Sequence, residues 1–192
     1  MSVVIEPLTD TQDFRYVCAL MRDADREEIF ATRTDDDDQA YADDCLKTMG
    51  RFSFIAFAAD REPIASLGAV SPWPGFAFCW AFGTDRWPEA ILAMTKSVKR
   101  TMLPALVNQG VHRIEARALA WRQDTARWMT AFGARREAIL PGYGRHGEAF
   151  ALYAWTAPQV AQDSPSGLDF PNGDTLRRRA PRRGLRGVHE LH

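Results

Sequence analysis

Four side chains are the candidates for proton transfer in this chain: Glu115, Tyr143, His146 and Glu148. A general acid or base needs a titratable group within hydrogen-bond reach of the reacting atom. Tyr143 is the best of the four, because glycines flank it in a loop that could approach a substrate. Each of the four can also be an ordinary polar residue on a surface strand or loop, and we prefer that interpretation to a catalytic role for all four.

The end of the chain offers a different chemistry, the binding of anions. Its arginines, which no acid interrupts, are Arg177, Arg178, Arg179, Arg182, Arg183 and Arg186. Such a segment attracts phosphate backbones or an acidic protein groove. A disordered, solubilising tail explains the same composition equally well.

The rest of the chain is acidic, with 18 basic and 24 acidic side chains in residues 1–175. Many of these acids lie early in the chain: Asp23, Asp25, Glu27, Glu28, Asp35 to Asp38, Asp43 and Asp44. We interpret this acidic run as solvated helix starts, since carboxylates favour the amino end of a helix dipole. A metal site is not expected there, nor at the histidines, of which only His189 and His192 lie close together, without a further ligand.

Length and composition predict one soluble domain followed by a tail. A chain of 192 residues with 46% hydrophobic content can bury one core. No apolar run approaches the ~20 residues that span a bilayer, and the amino terminus lacks a signal-type core. Cys18, Cys45 and Cys79 form no CxxC pair and indicate buried thiols in a reducing compartment. We place the domain at 1–156 and the linker with its arginine-rich tail at 157–192.

The periodicity of the second half predicts strand, helix, strand, turn and strand. Apolar and charged residues alternate around Ile114, as in a strand. A short amphipathic helix then ends at Gly133, and Ala149 to Trp155 forms the last strand. We expect Phe132 and Trp155 to be buried where the helix and the final strand close the sheet.

The first half predicts strands and helices in a similar way. The predicted elements are a strand at Val3 to Ile5, a helix capped at Thr9-Asp10, a helix between Asp37 and Thr48, strands at Phe52 to Ala58, Pro63 to Val70 and Phe76 to Phe82, and a long helix from Trp87 to Gly110.

This order of elements resembles the GNAT acyltransferase superfamily, whose short helix ends in a pattern like Met129 to Ala134 here. The resemblance implies an α+β fold, with a mixed, mostly antiparallel sheet of six to seven strands flanked by helices. It also implies acetyl-CoA as cofactor and a turn before the long helix that binds the coenzyme's pyrophosphate through backbone N–H groups.

The matching turn here carries Gly83, Thr84, Arg86 and Trp87, and it departs from the GNAT pattern. Glycine stands only at its first position, and Pro88 has no N–H to donate. Acidic residues flank the single arginine, and we interpret Asp85 as the N-cap of the long helix. The position of the tyrosine that protonates the departing thiolate in many GNAT enzymes is Met129, which cannot transfer a proton.

A narrower resemblance covers about half of the chain, from Glu62 to Thr156. This part of the chain is similar to the GNAT-like internal virion proteins of short-tailed bacteriophages. The shared features are Pro63 to Gly68, Cys79-Trp80, the basic helix with Lys96, Lys99 and Arg100, Arg127-Trp128, and Arg145 to Glu148. This resemblance implies a particle-associated protein near the portal or inner core, without a glycine-rich pyrophosphate loop.

Two hypotheses follow. In the first, the chain is a virion component without a cofactor, located in the particle or the host cytoplasm. Its tail binds phage structural proteins or DNA, and its copies form a homo-oligomer or associate with a ring. In the second, it is a bacterial cytoplasmic, acetyl-CoA-dependent N-acetyltransferase with Tyr143 and Glu115 as weak catalytic candidates. In that case the enzyme positions the amine and stabilises the oxyanion.

Overall fold

The computed structural model of the chain describes residues 3–157. The six arginines that we predicted to bind an anionic partner lie outside this range. The thiols of Cys18, Cys45 and Cys79 are free.

Seven strands and six α-helices make up the described part of the chain. In chain order they are β1 Val4–Pro7, α1 Thr11–Ala19, α2 Asp23–Phe30, α3 Asp38–Thr48, β2 Ser53–Phe57, β3 Pro63–Val70, β4 Phe76–Gly83, α4 Trp87–Ser97, α5 Leu103–Asn108, β5 Arg113–Leu119, α6 Gln123–Ala131, β6 Arg135–Leu140 and β7 Phe150–Thr156.

The strands form one sheet in the order β1-β2-β3-β4-β5-β7-β6. All neighbours pair antiparallel except β4 and β5, which pair parallel. The chain between those two strands is the long helical crossover that a parallel connection needs. The predicted fold class, α+β with a mostly antiparallel sheet, is confirmed.

Helices cover both faces of the sheet. Met94 and Val98 of the crossover are buried with strand residues such as Leu67, and Trp128 of α6 packs against the same cluster. On the other face, Phe14 of α1 is buried with Phe82 and other residues of the central strands. The Asp10 side chain caps α1 by accepting a hydrogen bond from the backbone N–H of Gln12, as the sequence predicts.

The predicted long helix from Trp87 is interrupted by a π-helical segment, Val98–Met102. Leu103 donates its backbone N–H to the carbonyl of Val98, one residue farther back than in an α-helix. Pro104 follows within the first turn of α5 and cannot donate to the carbonyl of Arg100. The wider turn accommodates this missing donor.

Two further features differ from the sequence prediction. The helix α2 is additional, and its Asp25 is only 2% exposed, so solvated helix starts do not describe the whole acidic run. Phe132 and Trp155 are half-buried at the border of the core instead of fully buried.

Among the described helices, none has the length and apolar character needed to cross a bilayer.

Candidate functional site

A gap between β4 and β5 forms a cleft in the described domain. The two strands pair only from Phe76–Arg113 to Phe78–Glu115, and beyond this point they separate within the described residues. The cleft has a volume of about 260 Å³, and both apolar and charged side chains line it. Because the strands no longer pair there, their facing backbone groups need other partners.

Helix α2 supplies those partners at the wide end of the gap. The Asp25 carboxylate accepts a hydrogen bond of 3.0 Å from the backbone N–H of Gly83 on β4. The Glu28 carboxylate accepts one of 2.9 Å from the backbone N–H of Leu119 on β5. Residues three apart on a helix lie on the same face, so one face of α2 binds both strands.

A buried arginine links the two carboxylates. Arg122, which is only 2% exposed, lies 2.8 Å from Asp25 and 3.4 Å from Glu28. It also contacts Asp124 at 2.9 Å, while Arg22 contacts Asp25 at 2.7 Å. The paired charges satisfy one another, as charges removed from water must.

Glu28 has the ionisation of a candidate general base. Burial raises the pKa of its carboxyl to about 7, although Arg122 and the hydrogen bond from Leu119 act in the opposite direction. The side chain lines the cleft and is 17% exposed, so a ligand there could reach it. A carboxyl that titrates near neutral pH can exchange protons under physiological conditions.

The turn between β4 and α4 brings the predicted phosphate-binding residues together, but their N–H groups are already used. The N–H of Gly83 binds Asp25, that of Arg86 binds the hydroxyl of Thr84, and that of Trp87 binds the carbonyl of Thr84. The N-cap of α4 is Arg86 without a side-chain cap, so the prediction that Asp85 caps this helix is wrong.

The charge at this turn is acidic. The Arg86 guanidinium binds Glu89 at 2.8 Å and Asp60 at 2.9 Å, and it also binds Glu62. Hydrogen bonds to Glu89, Glu62 and Asp60 raise the pKa of Arg86. The same bonds lower the pKa of Glu89 and Asp60, so both carboxylates are held ionised. One guanidinium is thus shared by three carboxylates, and an incoming phosphate would be repelled.

No protein-family model and no curated protein matches the sequence. Many solved structures match the fold. A GNAT-family acetyltransferase from Bacillus anthracis superposes with a TM-score of 0.61 and 14% identity, covering 81% of this chain and 95% of that one. Ard1 from Thermoplasma volcanium gives a TM-score of 0.64 and 12% identity over 83% and 100% of the chains.

The ribosomal-protein-S18-alanine N-acetyltransferase from Escherichia coli gives a TM-score of 0.60 and 11% identity over 84% of this chain and 98% of that chain. The described chain has the GNAT acetyltransferase fold. At sequence identities this low, the similarity supports a shared fold and does not extend to activity or substrate.

Within this GNAT fold, Tyr143 lines the cleft that also holds Glu28. Its hydroxyl accepts a hydrogen bond of 2.7 Å from Arg117, and its ring packs against Phe150. Glu115 instead forms ion pairs with Arg113 and Arg117, at 2.7 and 3.7 Å. Glu115 is therefore already engaged in charge pairs.

The other two candidates, His146 and Glu148, lie on a separate groove beside α2. Glu148 accepts a hydrogen bond from the backbone N–H of His146, which fixes the loop between β6 and β7. The structure thus brings Tyr143 to the cleft and places His146 and Glu148 elsewhere.

Trp128 fills the space between α4 and α6 in this GNAT fold. Its indole N–H donates a 2.9 Å hydrogen bond to the hydroxyl of Thr95, and its ring centroid lies 5.3 Å from that of Trp87 and 4.8 Å from that of Phe132. The apolar pocket that remains has a volume of only about 60 Å³. It is therefore much smaller than the cleft of about 260 Å³.

Sequence reasoning missed Asp25, Glu28 and Arg122, the three charges at the centre of the cleft. The only available signal was the three-residue spacing of Asp25 and Glu28, which places both on one face of a helix. Among the described residues, no cluster of histidine, cysteine or carboxylate groups could hold a metal ion.

Proposed function

We propose that this chain uses the GNAT fold as an interaction scaffold and does not bind acetyl-CoA through the usual phosphate turn. One observation carries this proposal: the Arg86 guanidinium is bound by Asp60, Glu62 and Glu89. A phosphate at this turn would have to displace those carboxylates and approach them closely.

The backbone at the turn supports the same proposal. Phosphate binding at a helix amino end depends on N–H groups that have no other partner. Here Pro88 has none, and the N–H groups of Arg86 and Trp87 bind Thr84. The residues present therefore do not fit the pyrophosphate of the coenzyme.

We extend this proposal to a virion component of a short-tailed bacteriophage, located near the portal or inner core. This extension rests on the sequence pattern from Glu62 to Thr156 and on the arginine-rich tail, which would bind structural proteins or DNA. Its test is mass spectrometry of purified particles. Absence of the chain from particles whose genome encodes it would refute the extension without affecting the scaffold proposal.

Titration calorimetry with acetyl-CoA tests the central proposal. We expect no binding heat and no rise in melting temperature at millimolar ligand. A ligand at a hundredfold its dissociation constant would stabilise the fold by about 2.7 kcal/mol, which is an easily measured shift. Saturable binding that requires the phosphate groups of the coenzyme would overturn the scaffold proposal.

The second candidate function is acetyl-CoA-dependent N-acetyl transfer, and Glu28 is the observation that favours it. Its carboxyl has a pKa of about 7 and faces the cleft. In its ionised form it could take a proton from an ammonium group on an incoming amine, which leaves the nitrogen lone pair available for attack.

Thiol release from acetyl-CoA in the presence of primary amines tests this alternative. Activity that Glu28→Gln abolishes, with the fold intact by circular dichroism, would support it. Absence of thiol release with the whole amine panel, together with absence of calorimetric binding, would favour the scaffold.

A further inference from the structure

The helical layer of the crossover, from Ala90 through α5, carries charged side chains of one sign only. From Ala90 to Ile114 the chain contains no acidic residue, and this stretch covers most of α4, the π-helical segment and α5. Lys96, Lys99 and Arg100 are exposed there. This absence of carboxylates separates the layer from the acidic face of α1 to α3.

The cations of this layer have no ion-pair partner among the described residues, unlike most other cations of the domain. The exposed side chains concerned, together with Arg127 of α6 and Arg136 of β6, are Lys96, Lys99 and Arg100, and we call these five the basic strip. By contrast, cations on the opposite side are paired: Arg15 with Asp43, Arg26 with Asp38, and Arg33 with Asp44.

The members of the basic strip lie on neighbouring elements. Trp128 of α6 donates a hydrogen bond to Thr95 of α4, so these two helices are adjacent. Lys96 follows Thr95 in the sequence and Arg127 precedes Trp128, so both cations lie close to this contact. The next element after α6 is the edge strand β6, whose Arg136 is in register with Tyr153 on β7. The strip thus runs from the crossover helix to the edge of the sheet.

From this arrangement we infer that the basic strip binds the phosphate backbone of nucleic acid. Exposed cations without carboxylate partners lose no ion pair when they bind a phosphate, and they release the counterions of the duplex. This inference is independent of whether acetyl-CoA binds.

The experiment measures binding of the full-length chain to a labelled DNA duplex by fluorescence anisotropy across a salt series. The test variant carries Lys96→Gln, Lys99→Gln and Arg100→Gln. The control carries Lys47→Gln, Arg51→Gln and Arg61→Gln, which removes the same charge from the rest of the surface. Melting temperatures of both variants verify the fold.

We expect the test variant to bind at least about tenfold more weakly than the control near 50 mM salt, and its slope of log affinity against log salt to be less negative by about 0.9 for each lost contact. Equal affinity of test variant, control and natural chain would overturn the inference, as would a lack of DNA binding by the natural chain. Binding of polyglutamate as tight as that of DNA would reassign the surface to an acidic protein and would likewise overturn it.

Discussion

The carboxylates of Asp25 and Glu28 lie one helical turn apart on α2, and each binds a different side of the gap in the sheet. Asp25 accepts from Gly83 on β4, and Glu28 accepts from Leu119 on β5. Two strands that no longer pair with each other are thereby held by one helix. The helix replaces the missing ladder bonds and at the same time brings charge into the cleft.

Loss of Arg122 should destabilise the fold severely. Arg122→Met leaves Asp25 with Arg22 as its remaining cation and removes the cation beside Glu28, and removal of one partner of a buried ion pair costs about 3–5 kcal/mol. Urea unfolding measures this loss. The matched control is Arg61→Met, because Arg61 pairs with Glu6 on the surface, where water screens the pair. Similar unfolding midpoints for the two variants would contradict the structural role of Arg122.

Glu28 should make the stability of the protein depend on pH. Its pKa is about 7 in the folded protein, against 4.5 ordinarily, so folding takes up a proton between these values. The free energy of unfolding should therefore fall as pH rises from about 4.5 to about 7, by about 3 kcal/mol at most. Glu28→Gln cannot ionise and should lack this component of the pH dependence. Parallel stability profiles of the variant and the natural chain would show that Glu28 titrates normally.

Removal of the carboxylates around Arg86 should create affinity for phosphate. The variant Asp60→Asn, Glu62→Gln, Glu89→Gln leaves the guanidinium without its acidic partners. We expect it to bind acetyl-CoA or pyrophosphate measurably by calorimetry where the natural chain does not. A control with Glu27→Gln, Asp36→Asn and Asp43→Asn changes the net charge equally at other exposed sites. Binding that improves equally in both variants would point to net charge alone.

Trp128 should contribute more to stability than a typical surface tryptophan. Trp128→Ala removes packing against Trp87 and Phe132 and the hydrogen bond to Thr95, and we expect a loss of about 3 kcal/mol, since the side chain is half-buried. Trp121, which is 57% exposed, is the control, and its replacement by alanine should change stability by no more than about 0.5 kcal/mol. Thermal and urea unfolding measure the loss of stability in both variants, and equal losses would contradict the prediction.

Deletion of Leu176 to His192 should leave the melting temperature unchanged. Residues 3–157 form buried clusters with one another, so we expect the described core to persist without the tail. The same deletion should weaken association with an anionic partner. A drop of several degrees in the melting temperature would show that the tail belongs to the folded unit.

The sequence alone determined most of the fold. The alternation around Ile114 and the long helix predicted from Trp87 rest on local periodicity, and the structure has a strand at the first place and helices at the second. The sequence also predicted that the turn before α4 departs from the GNAT phosphate-binding pattern, because Pro88 has no backbone N–H in any structural context. The sequence did not predict the start of α4 correctly. The backbone N–H groups of Arg86 and Trp87 bind Thr84, and the expected side-chain cap from Asp85 does not form.

Only the tertiary structure determined the site. Arg122 meets Asp25 across almost a hundred positions of sequence, and Arg86 meets Asp60 and Glu62 across more than twenty. No local pattern encodes such encounters. The pKa of Glu28 depends on burial, which is a property of the packed cleft and not of the residue. The sequence places charges along a chain, whereas the fold decides which of them lose water and which partners they meet.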